Sequence, residues 1–122
     1  MSKKKVLIFD DNIELLELCT LILEGLELDI KTSITSDNAD QQVLDYMPDL
    51  ILMDNWLPNI SGIEATRLIK AQKQTSQIPV IYFTANNNID KLAKEAGADG
   101  FISKPFDITE LEQMVKDHLG LV

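Results

Sequence analysis

The chain has 122 residues and a mass of 13.7 kDa, the size of one ordinary domain whose core needs no disulfide staple. Its 45% hydrophobic and 25% charged residues exclude a disordered chain, and a single cysteine, Cys19, excludes an intrachain disulfide framework. A net charge of −9, with Lys3-Lys4-Lys5 as the one basic run, repels a nucleic-acid backbone. No apolar run approaches the ~20 residues of a membrane span. Val6 to Phe9 is too short for the apolar region of a signal peptide. The expected location is therefore the cytoplasm, with neither nucleic acid nor membrane as a partner.

Along the chain, Val6 to Phe9 is a short apolar run, the pattern of a strand covered on both faces. Ile13 to Glu24 reads as a helix with Glu14, Glu17 and Glu24 on its wetter side, stopped by Gly25. Cys19 falls among its core residues. Leu28 to Ile34 alternates and reads as an edge strand. Ser36 is expected to cap a second helix that runs to about Tyr46. Leu50 to Met53 is another apolar strand, followed at once by Asp54. Ser61 and Glu64 form a capping-box pattern for a third helix from about Gly62 to Gln72. Pro79 to Phe83 is a fourth strand ending at Thr84. Ile89, Leu92, Ala93 and Ala96 lie at helical spacing before Gly97. Gly100 to Ser103 is a short fifth strand, and Asp107 caps a last helix with a stripe of Ile108, Leu111, Val115 and Leu119. His118, on that helix, is expected to be solvated.

Five β-α units imply a doubly wound α/β fold, a five-stranded parallel sheet with helices on both faces. Of the common orders, 2-1-3-4-5, the flavodoxin-like arrangement, places the amphipathic second strand at an edge and the most apolar strands in the centre. In such sheets ligands bind at the carboxyl ends of the strands. Those ends carry Asp10 and Asp11, Asp54, Thr84, and Ser103-Lys104-Pro105. Each alone is an ordinary turn residue; together they are a site. Two carboxylates ~5 Å apart at an effective dielectric of ~20 repel by roughly 3 kcal/mol, so three call for cations. Lys104 supplies one charge. Carboxylates, a carbonyl and retained water suit Mg²⁺, with Mn²⁺ as a substitute, whereas no His/Cys cluster serves zinc. A hard cation, a spare carboxylate, a hydroxyl and a lysine are the parts for phosphoryl transfer to an Asp nucleophile. No glycine-rich nucleotide-binding loop is present.

The motifs Phe9-Asp10-Asp11-Asn12, Leu52-Met53-Asp54 with Leu57-Pro58 and Gly62, Thr84-Ala85, Ala96-Gly97-Ala98 and Lys104-Pro105-Phe106 are those of a known family. From Lys5 to about Leu119 the chain resembles the receiver domain of two-component response regulators, in its chemotaxis-regulator-like, single-domain form. The resemblance implies that Asp54 accepts a phosphoryl group from the phosphohistidine of a histidine kinase or phosphotransfer protein. It implies that Asp11 binds Mg²⁺ directly, Asp10 mainly through water, and Trp56 through its backbone carbonyl. Thr84 and Lys104 would hold phosphoryl oxygens, and Lys104–Pro105 would be a cis peptide. Thr84 and Phe101 would form the switch that remodels the face of the fourth helix, fifth strand and last helix. Trp56 and Asn86 would tune the lifetime of the phosphoryl group, with the Trp56 indole shielding it from in-line water.

Three positions depart from the family's commoner residues. Asn55 stands in place of an apolar side chain, Ser61 in place of Asp, and Phe101 in place of Tyr, so no phenolic hydroxyl carries the signal. Competing readings are a phosphorylation-independent pseudo-receiver docking module, a phosphatase of the haloacid-dehalogenase type and a flavodoxin-like cofactor binder. The intact Asp10, Asp11, Asp54, Thr84 and Lys104 disfavour the first. Trp56, where an acid/base Asp is needed, disfavours the second, and the missing phosphate loop disfavours the third. Because the chain stops about one turn after the last helix pattern, the expectation is a single receiver domain over residues 1–122, either stand-alone or excised.

Overall fold

The computed structural model describes residues 3–54, 57, 60–84, 91, 94 and 97–121. Five parallel strands, β1 Lys5–Phe9, β2 Asp29–Ser33, β3 Leu50–Asp54, β4 Val80–Thr84 and β5 Gly100–Ser103, lie in the order β2-β1-β3-β4-β5. This is the expected doubly wound arrangement, with β2 at an edge. The described helices are α1 Ile13–Glu24, α2 Ala39–Tyr46, α3 Gly62–Ala71 and α4 Ile108–Leu119. The helix expected around Ile89 to Ala96 falls mostly outside the described residues.

The apolar runs of the central strands split by alternation between two cores, as successive side chains point to opposite faces. Val6 and Ile8 of β1, Leu50 and Leu52 of β3, and Ile81 and Phe83 of β4 pack with Leu16, Cys19 and Leu23 of α1 and Leu111 and Val115 of α4. Leu7 and Phe9, Ile51 and Met53, and Val80 and Tyr82 face the other way, against Ala39 and Val43 of α2 and Ala65 and Ile69 of α3. Each such side chain contributes about 1.5–3 kcal/mol by leaving water, which is why β1, β3 and β4 are central. β2 is largely exposed and pairs with β1 alone.

Local signals place the helix starts. Asn12 accepts the Leu15 N–H, Ser61 accepts the Glu64 N–H, and Asp107 and Glu110 form a complete capping box at α4. The second helix departs from expectation. It begins at Ala39, and its cap is Asn38 in the left-handed region with no side-chain cap bond. Ser36 does not cap, because its hydroxyl is drawn to the main-chain carbonyl of Ile60. Gly25 closes α1 as expected but with ordinary helical φ; the left-handed residue there is Glu27. His118 is half-buried rather than solvated, with Nδ1 3.0 Å from the Met114 carbonyl oxygen.

The buried Cys19 gives this core a pH signature. Burial, aided by the Asp10 carboxylate and opposed by Lys104, pushes its thiol from the ordinary 9.0 up to about 11. The neutral thiol is therefore favoured by folding. Its contribution to stability is fully present below pH ~9 and is lost as pH rises towards ~11. Denaturant titrations at stepped pH should show stability falling across that window, with a smaller fall in Cys19→Ala. A wild type and variant with the same pH slope would contradict the assignment.

Candidate functional site

The sheet brings the motif residues together at the carboxyl ends of its strands. β1 and β3 run in register, Phe9 beside Met53, so Asp10 leaves the end of β1 as Asp54 closes β3. Asp54 lies opposite Phe83, and Thr84 opposite Ser103. Lys104 therefore emerges from β5 immediately after the residue level with Thr84. The backbone of Thr84 closes β4; its side chain, and all of Asn55, Trp56 and Asn86, lie outside the described residues.

Asp10, Asp11 and Asp54 each place a carboxylate oxygen within 4.8 Å of the others. Asp10 is 1% exposed and Asp54 5%, while Asp11 faces solvent. The Lys104 ammonium lies 2.9 Å from Asp10 Oδ2 and 3.7 Å from Asp54 Oδ1. It also stands 5.8 Å from the centroid of the Phe83 ring, which stacks on Phe106 at 5.3 Å. The Phe83 ring face favours the cation. The Lys104–Pro105 peptide is cis.

Asp10 does two jobs. Its Oδ2 meets Lys104, and its Oδ1 accepts the Asn12 N–H at 2.9 Å. The turn reading and the ion-pair reading of that residue both hold. Asn12 in turn caps α1, so the start of that helix is tied to the carboxylate cluster. On the other flank, Ser61 caps α3, and Gly62 O accepts from Thr66 Oγ1 at 2.7 Å and from the buried Tyr82 hydroxyl at 3.1 Å.

Phe101 sits on the edge strand β5, separated from β3 and the cluster by β4. It is 40% exposed and borders a shallow groove of about 360 Å³ with Ser103, Glu110, Met114 and Asp117. A larger groove of about 520 Å³ runs between α1 and the β2 edge, lined by Ile13, Leu16, Leu21, Thr32 and Ile34 together with Glu17 and Glu24. Ile13, two residues from Asp11, begins it.

Sequence reasoning missed two participants. Ser33 accepts the Asp10 N–H through its carbonyl at 3.1 Å, and Ser36 holds Ile60. The parallel register could have flagged Ser33. For Ser36 the sequence is ambiguous, because Ser36, Asp37 and Asn38 are all good helix caps.

The buried ion pair carries a stability cost if broken. In Lys104→Met the Asp10 carboxylate, 1% exposed, loses its counter-charge while Asp54 stays beside it. Denaturant titration in chelator at pH 7 should show a loss of about 3 kcal/mol. Stability equal to wild type would show that the pair is not structurally coupled.

The geometry agrees with comparison to known proteins. Residues 6–116 match the model of the response regulator receiver domain. The chain is 36% identical over 118 residues to the phosphate regulon transcriptional regulatory protein PhoB of Pseudomonas aeruginosa, covering 95% of this chain and 52% of that protein. It spans about half the length of the curated relatives it matches. Among solved structures, the receiver domain of the sensor histidine kinase PA1611 from Pseudomonas aeruginosa, which has a magnesium ion coordinated in its active-site cleft, superposes with a TM-score of 0.89 at 27% identity, over 98% of this chain and 99% of that one. The chemotaxis protein CheY4 of Vibrio cholerae, 23% identical, shares the fold at a TM-score of 0.89, over 97% and 100% of the two chains. The chain therefore belongs to the response regulator receiver domain family of two-component signalling systems.

Proposed function

We propose that this domain is a phosphorylation-activated switch in which Asp54 is the phosphoacceptor. The observation that carries the reading is the cluster itself: three carboxylates within 4.8 Å of one another, the two buried ones sharing one lysine. Such a cluster is costly as a structural element and useful as a receptor for cationic and then anionic charge. The oxygen-only donor set fits a hard divalent cation. Asp10, Asp11, Asp54 and the backbone carbonyl of Trp56 would hold Mg²⁺, with Mn²⁺ as a substitute. The ion supplies charge neutralisation for the equatorial oxygens of the transferring group.

The remaining steps belong to the chain. An Asp54 carboxylate oxygen attacks the phosphorus of a phosphohistidine in line. The new O–P bond forms as the P–N bond breaks, and the electron pair leaves with the donor imidazole. Lys104, 3.7 Å from Asp54 Oδ1, pairs with a phosphoryl oxygen, and Thr84 donates its hydroxyl to another. Hydrolysis returns the carboxylate and inorganic phosphate, and Trp56 and Asn86 would tune its rate.

A phosphoryl group adds about −1.5 to −2 charges. Thr84 moves towards that charge, and the half-exposed Phe101 ring turns inward from its groove on the α4 side. The face that includes β5 and α4 changes shape and is read by a downstream protein. The donor is a histidine kinase or phosphotransfer protein, and the apolar groove of α1, starting beside Asp11, is the surface offered for its docking. The domain acts in the cytoplasm as a signalling element; its chemistry is confined to its own phosphorylation and dephosphorylation. No helix of the described residues is long and apolar enough to cross a membrane.

Intact mass with acetyl phosphate as a small donor tests the reading, with a phosphohistidine donor as the second arm. A Mg²⁺-dependent gain of one phosphoryl group in the wild type, absent in Asp54→Asn and in chelator, is the expected result. No gain with either donor would move the reading to a docking module that works without phosphorylation.

A further inference from the structure

Ser36 is fully buried, yet it caps no helix. A buried hydroxyl needs a partner, and the Ser36 hydroxyl donates to the main-chain carbonyl of Ile60. Ile60 closes the stretch between Asp54, the last residue of β3, and Ser61, the cap of α3. Among the described residues that stretch is also anchored by Leu57, buried in the core on the α2 and α3 side, and by the partly buried Ile60 side chain packed against the same core.

The connection that carries Ser36 is braced from within. Ser33 Oγ donates to the Thr35 carbonyl at 2.8 Å, and the Asp37 N–H to Thr35 Oγ1 at 3.1 Å. Gln42, from α2, donates its side-chain amide to the Asp37 carbonyl at 2.8 Å and the Thr35 carbonyl at 3.3 Å. The same connection reaches the opposite flank of the cluster, where the Ser33 carbonyl accepts the Asp10 N–H at 3.1 Å. One stiff loop thus grips the main chain at Asp10 and at the far end of the stretch that follows Asp54.

We propose that Ser36 is a positioning residue for the carboxylate site: by holding the Ile60 carbonyl it fixes the far end of the connection that leaves Asp54, and with it the affinity of the Asp10, Asp11 and Asp54 cluster for a divalent cation. This inference rests on the metal-dependent phosphoacceptor reading. Groups that orient a metal site without touching the metal act on its affinity in this way. Ser36→Ala removes the donor while nearly preserving volume, so the Ile60 carbonyl loses its partner without a cavity forming.

The test reads the segment directly. Trp56 is the chain's sole tryptophan and lies within the segment, two residues after Asp54. Its fluorescence follows a Mg²⁺ titration, and its quenching by acrylamide follows the segment without metal or phosphodonor. Ser36→Ala should weaken Mg²⁺ binding on the order of tenfold and raise the acrylamide quenching constant in metal-free protein. Thr75→Val is the control. Thr75 is equally buried and donates to the Ile69 carbonyl at 2.6 Å, beyond the end of α3 away from the cluster. It should lower the denaturation midpoint and leave both Trp56 readouts unchanged.

If Ser36→Ala does not fold, Ser36→Cys, slightly larger and a much weaker donor, is titrated against the same criterion. Unchanged Mg²⁺ affinity and quenching in the Ser36 variant, or an equal loss of affinity in Thr75→Val, would overturn the assignment. A wild type that binds no Mg²⁺ and accepts no phosphoryl group would instead overturn the phosphoacceptor reading on which it rests.

Discussion

The structure is organised around an electrostatic imbalance: three carboxylates are drawn within 4.8 Å of one another and a single lysine side chain meets two of them. Water would solvate these groups better than the protein does, and Asp10 and Asp54 are nearly sealed from it. The fold opposes that cost with apolar burial. β1 and β3, the strands that deliver Asp10 and Asp54, are core strands, with Val6 to Phe9 and Leu50 to Met53 all inaccessible to solvent, as are Val80 to Phe83 of β4. Strand register and carboxylate spacing are therefore one property, because neither Asp can retreat without moving a core strand.

Lys104 is held with comparable care. It leaves β5 beside the end of β4, its peptide to Pro105 is cis, and its ammonium stands over the Phe83 ring, which stacks on Phe106. The cation is fixed by packing as well as by charge, so it remains at the mouth of the site whatever anion occupies it. In the proposed function, that anion is first the Asp54 carboxylate and then its phosphoryl group. The helix caps extend the same arrangement outwards. Asp10 orders Asn12, which begins α1, while Ser61 and Gly62 begin α3 beside Ser36 and Tyr82.

Much of this was legible in the residues. Continuous apolar runs marked β1, β3 and β4 as central, and the alternating Leu28 to Ile34 run marked β2 as an edge, because burial on one or two faces writes different periods. Asp107 and Ser61 announced their helices by local chemistry that needs no tertiary context. Ser36 was misread for the complementary reason. Three cap-forming residues stand in a row there, and the choice among them was made by a carbonyl 24 residues away that no local pattern reveals. Likewise the sequence located Lys104 near Asp54, but only the fold shows the lysine closer to Asp10, with Phe83 beneath it. Family membership supplied the chemistry of the group proposed to bind these residues; the geometry supplied the reason they tolerate one another.

The charge imbalance makes a direct thermodynamic demand: a divalent cation that binds the folded cluster must stabilise the fold. Denaturant unfolding of the wild type and Asp11→Asn across a series of Mg²⁺ concentrations measures this most directly. Above its dissociation constant, Mg²⁺ should raise wild-type stability by about 1.4 kcal/mol per tenfold increase in concentration, and Asp11→Asn should require far more Mg²⁺ for the same gain. A wild-type stability independent of Mg²⁺, or identical curves for the two proteins, would contradict the account.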